Sequence, residues 1–175
     1  MAERDRDCIL DGLVMSGDAF FGSKTEGKKR GRETEKQNML ILVSVTKDLK
    51  PRFAKIRTVP NMKNATVSGA MDEMAKRENH LISGGHRTLI NHFTHQVQVI
   101  TKDPNKALDM FKPIHRIISN AKAVIRNTSH GVSNKHRQDE YCYWLNRRFR
   151  EHFIFGKLVS ACVLAKPITY AELTS

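Results

Sequence analysis

A chain of 175 residues with 39% hydrophobic content is long enough for one domain with a real core and too short for two comfortable ones. Lys and Arg number 30 against 18 Asp and Glu, and the net charge of +12 points to a polyanionic partner, nucleic acid first, with a merely solubilising charge as the alternative. Cys8, Cys142 and Cys162 form no CxxC pair or disulfide framework, and neither a secretory h-region nor an apolar run of roughly 18 residues is present, so the expected setting is a reducing cytosol without membrane insertion.

The first expected strand is Ile9 to Phe21, an apolar, strand-forming segment closed by Gly22. Residues 23–37 then carry Lys24, Lys28, Lys29, Arg30, Arg32 and Lys36 among glycines, which predicts a solvated basic hairpin loop. Met39 to Val45 is short, apolar and β-branched, as a strand buried on both faces would be. A third, more exposed strand is expected around Phe53 to Thr58, before Pro60.

Asn64 is a candidate cap for a helix reaching Arg77, because Val67, Ala70, Met71 and Met74 recur at helical spacing. His80 to Ser83 reads as a strand ended by Gly84 and Gly85, Arg87 to Phe93 as a short helix, and Val97 to Ile100 as a further strand. The order is that of a mixed α/β sheet over 9–101, followed by a mostly helical part over 110–175.

Beyond Asp103, Ile114, Ile117, Ile118, Ala121 and Ile125 form one apolar helical stripe. His115, Ser119, Lys122 and Arg126 share the opposite face, which is either functional or simply solvated. A second helix is expected from a Ser133 cap to about Arg150, and its Tyr141, Tyr143, Trp144 and Leu145 beside Arg147, Arg148 and Arg150 suit either base stacking or core packing with snorkelling arginines. No internal repeat is visible.

The segments HRIISNAK (115–122), SHGVSNKH (129–136), LNRRF (145–149) and AKPITYAEL (165–173) resemble, in that order, DDE-type insertion-sequence transposases of the ISXO-like group. LDGLVMSGDAFFG resembles that group's first catalytic strand, GKKRGR its basic loop and HLISGG the strand ending in its second catalytic acid, so the resemblance spans nearly the whole chain. It implies an RNase H-like mixed sheet flanked by helices, in a single domain over 1–175. It also implies metal-dependent strand cleavage and strand transfer at transposon ends of double-stranded DNA. Two aspartates and a third ligand would hold Mg²⁺ or Mn²⁺ in such an enzyme. The third position corresponds to His115, while Lys122 would contact phosphate; Asn120 lies about 140° around the helix from His115 and off that face.

The departures bear on activity. Gly17 and Gly84 stand where the family has its two metal-binding aspartates, and no acid flanks Gly84. Asp18 could serve as catalytic and metal-binding substitute only if a bulge turned it inward, and Asp11 is roughly 20 Å away along an extended strand. Against the family pattern, the given sequence is expected to lack the upstream zinc-ribbon or helix-turn-helix region and to be about three residues short between Gln138 and Asp139, which would rotate the following helix by roughly 60°. The expected function is therefore a transposase catalytic domain inactive in this chain, with a homodimer left open. The alternatives are a non-catalytic DNA-binding relic or regulator and, from another class, an RNA-binding protein.

Overall fold

The apolar run around Met39 becomes the second strand of a five-stranded mixed sheet, where alternate residues serve two separate cores. The computed structural model describes residues 9–21, 37–84, 92–98, 103–127, 134–148, 151–165, 167 and 169–171. Its strands are β1 (Leu13–Phe21), β2 (Gln37–Val45), β3 (Pro51–Val59), β4 (His80–Ser83) and β5 (His95–Gln98), and its helices are α1 (Asn64–Asp72), α2 (Pro104–Asn127), α3 (Asn134–Arg147) and α4 (Glu151–Leu164).

The spatial order is β3-β2-β1-β4-β5. The first three strands form an antiparallel meander, and β4 and β5 add to it parallel to β1. On one face Met15, Ala19, Phe21, Met39, Ile41 and Val43 pack with Ile114, Ile117, Ala121, Tyr141 and Cys142 of α2 and α3. On the other, Val14, Leu40, Leu42 and Leu81 pack with Val67, Met71, Met74 and Phe93. A strand covered on both faces has no polar side to show, hence the unbroken apolar reading of β2.

Several boundaries differ from the sequence expectation. The cap of α1 is Lys63, which makes no side-chain cap hydrogen bond, and Asn64 is already helical. The helix stops at Asp72 because the chain then pairs with the entry to β1: Leu10 N–H donates to the Met74 carbonyl at 2.9 Å, and Leu10 and Ala75 form a parallel bridge. Met74 stays buried without being helical, so its spacing misled. β5 begins at His95, two residues before Val97. The basic segment with Lys24, Lys28, Lys29, Arg30 and Arg32, most of the expected helix at 87–93, Val99, Ile100 and Ser133 lie outside the described residues.

The start of β1 is locked to β4 by Asn79, a buried amide. Its Nδ2 donates to the Leu10 carbonyl at 2.8 Å, and its Oδ1 accepts from Gly12 N–H at 2.9 Å. Gly12 sits at φ +87°, a left-handed conformation that a glycine adopts without steric cost.

Helix α3 runs through Gln138 and Asp139 without a break and lies against β3. Tyr141, Cys142 and Tyr143 are buried while Trp144 is 41% exposed, so the two tyrosines take the packing role and the indole remains at the surface. The Tyr141 hydroxyl donates to the Ile117 carbonyl at 3.1 Å, and burial pushes its phenol up to about 12. The Arg147 guanidinium stacks 3.8 Å over Tyr143, and Arg148 donates to the Arg52 and Pro51 carbonyls. Asn146 meets Ala54 with both amide atoms, accepting from its N–H at 2.8 Å and donating to its carbonyl at 3.0 Å.

Candidate active site

Strand alternation sorts β1 before any site is considered. Nine consecutive pairs, from Leu13 with Val45 to Phe21 with Gln37, run without a register shift. Met15, Ala19 and Phe21 belong to the core beneath α2, so Gly17 faces that helix as well. Asp18 is placed with Val14 on the opposite face, and the unbulged register does not bring it to Gly17's side.

Register also places Gly84. Leu13 pairs with His80, Val14 with Leu81 and Met15 with Ile82, a constant offset of 67; Gly17 and Gly84 differ by the same 67 and follow the last of these pairs by two residues, with Gly84 just past the end of β4. Ile82, two residues before Gly84, lies in the same core as Met15, two residues before Gly17.

The helix crossing that face is α2. A Cβ at Gly17 would lie 3.0 Å from Ile114 Cδ1 and 3.6 Å from Ile118 Cδ1, so this glycine is where α2 comes down onto β1. A Cβ at Gly84 would meet nothing within 4 Å. The two positions therefore differ in what they tolerate. Gly84→Asp should leave stability within about 0.5 kcal/mol, whereas Gly17→Asp should lose about 1–2 kcal/mol by displacing Ile114. Urea denaturation of the two single variants checks this, and equal losses would contradict it.

His115 is exposed and follows Ile114, about 100° further around α2. Its ring lies 6.4 Å from that of Phe111. Seven residues on, Lys122 holds its ammonium 5.6 Å from the centre of the Phe21 ring, at the end of β1. Phe21 was not among the expected site residues, although its even spacing from Gly17 already put it on the same face. The helix trace includes Arg126, whose side chain lies outside the described residues.

The residues present do not fit a divalent metal held by two carboxylates. Gly17 and Gly84 supply no donor, Asp18 is across the sheet, and among the described residues no three His, Cys, Asp or Glu side chains converge as metal ligands would. What the arrangement does offer is a basic side chain seated on an aromatic ring at the strand end from which the cationic segment departs.

This topology, with α2 across β1, defines an RNase H-like domain. The catalytic core domain of BIV integrase, known from a crystal structure, has the same fold, with a TM-score of 0.52 at 9% identity, covering 85% of this chain and 97% of that one. The sequence matches the ISXO2-like transposase domain over residues 9–150, and the chain belongs to that transposase family. Among curated proteins no sequence matches it.

Proposed function

We propose that this chain keeps the DNA-handling scaffold of an ISXO2-like transposase domain and lacks metal-dependent cleavage and strand transfer. One observation carries the reading: glycines stand at both positions where the family's aspartates are expected, Gly17 on β1 beneath α2 and Gly84 just past the end of β4, the strand paired with β1. With His115 as the remaining candidate ligand, Mg²⁺ or Mn²⁺ would lose both anionic partners, and at about 1.4 kcal/mol per tenfold in rate the loss of two carboxylates abolishes useful turnover. Duplex DNA is the proposed partner in a bacterial cytoplasm, and no helix among the described residues is long and apolar enough to cross a membrane. Self-association into a homodimer belongs to the same reading.

DNA contact is assigned to Lys24, Lys28, Lys29, Arg30, Arg32, Lys122 and Arg126, acting on phosphates. Binding to a duplex should therefore weaken steeply as salt rises, with little preference among sequences. Neutralising the five loop cations should reduce affinity at least tenfold at low salt and flatten the salt dependence, as read by fluorescence anisotropy. Nicking or joining of DNA by the unmodified chain with Mg²⁺ or Mn²⁺ would refute the inactivity, and salt-insensitive binding would refute the phosphate contacts.

A further inference from the structure

Helix α4 is apolar but barely used by the fold. Ile154 is buried and Leu158 and Ala161 are half-buried, so one side of the helix rests on the protein. Phe155 is 76% exposed, Val159 45% and Val163 78%. These three lie at steps of four residues and form a single stripe, with Cys162 and Gly156 along its edges. Lys157 is about 160° around the helix from Val159, so the stripe itself carries no lysine. A helix that is apolar nearly all round is ordinarily covered, and at 14 residues this one is short of the roughly 20 needed to span a bilayer.

We propose that the Phe155–Val159–Val163 stripe is the homodimer interface, covered by the same stripe of a second copy running antiparallel; the proposal rests on the self-association reading above. The spacing is its own mirror. A two-fold axis at Val159 sets that residue on its counterpart, lays the large Phe155 ring against the smaller Val163 of the second copy, and gives the absent side chain of Gly156 to Cys162. The two Lys157 ammonium groups point away from the axis, which matters for a chain of charge +12 that repels its own copies elsewhere. Counting about 150–250 Å² for a fully exposed aromatic, the stripe and its flanks present on the order of 500 Å² per copy. Two copies then remove on the order of 1,000 Å², the lower bound for a specific interface.

The test is sedimentation equilibrium of the full chain from about 1 to 100 μM, with far-UV circular dichroism as a control for folding. The unmodified chain should form dimers, and Val159→Glu should raise the dissociation constant at least tenfold, while Leu108→Glu, an exposed apolar site on α2, should leave it unchanged. Independently, Val159→Cys in a Cys162→Ser background should cross-link to a covalent dimer under mild oxidation, whereas the unmodified chain should not, because an antiparallel pair keeps the two Cys162 thiols apart. A dimer that survives Val159→Glu would place the interface elsewhere and overturn this proposal while leaving self-association standing. A monomer at all concentrations would overturn both. Polydisperse aggregation or binding to neutral lipid vesicles without dimers would assign the stripe to another occupant and overturn it too.

Discussion

Gly17→Asp combined with Gly84→Asp should bind Mn²⁺ at least tenfold more tightly than the unmodified chain, and either single change should recover much less. Two carboxylates, one on β1 and one just past the end of the parallel strand β4 beside it, would share an ion, whereas one carboxylate with an exposed imidazole is a weak, incomplete set for a hard cation. The Gly84 arm is sterically free, so the Gly17 arm limits the gain: its carboxylate must displace the Ile114 methyl lying 3.0 Å from the Cβ position. Adding Ile114→Val, which removes that terminal methyl, should raise the affinity of the double variant further. Calorimetric titration reads the binding directly, without requiring turnover. A double variant no better than the unmodified chain would refute the proposed site, and DNA cleavage need not return with the metal, since productive DNA positioning is a separate requirement.

Asn79→Ala should destabilise the chain by about 2–3 kcal/mol, a large share of a small domain's net stability. The amide is buried and holds the Leu10 carbonyl and the Gly12 N–H together. Each group keeps one further contact, Leu10 with Lys76 N–H at 3.3 Å and Gly12 with the Asp11 carboxylate at 2.9 Å, which is why the loss should stop short of two full desolvation penalties. Because the clasp joins the entry of β1 to the residue before β4, it also secures the β1–β4 pairing that precedes Gly17 and Gly84. In the metal-binding double variant, Asn79→Ala should therefore lower Mn²⁺ affinity as well as the urea midpoint. A change in the midpoint alone would show that the clasp stabilises the fold without positioning the two substituted sites.

How much of this was legible beforehand follows from where the information sits. The strand around Met39 is visible because burial on both faces leaves a dense apolar run, the one at His80 because Gly84 and Gly85 end it, and α2 because its isoleucines keep helical spacing over three turns. The two glycines were legible only through family resemblance, since nothing in a lone glycine announces a missing acid. The opposed direction of Asp18 followed from strand alternation, provided that no bulge intervened, and the register supplies that condition. The end of α1 was not legible: Met74 has the right spacing, but its carbonyl is claimed by Leu10 from a distant part of the chain. The same holds for Ile114 over Gly17, a meeting of residues about a hundred positions apart that no local pattern encodes. The aromatic segment of α3 supports two readings because tyrosines and arginines suit both; in the fold Arg147 stacks on Tyr143 and Arg148 donates to the Arg52 carbonyl of β3, contacts that no local pattern specifies.

The amide of Asn146 has a consequence beyond stability. A sheet edge is a row of unfilled donors and acceptors on which any passing strand can be templated. At Ala54, in the middle of β3, one side chain occupies the outward N–H and C=O together, as a neighbouring strand's backbone would. For the sheet, Asn146 is thus a sixth strand one residue long. It ends the lateral polymerisation of strands on that side, so copies of this chain cannot join through β3 into a continuous fibre without first giving up that plug.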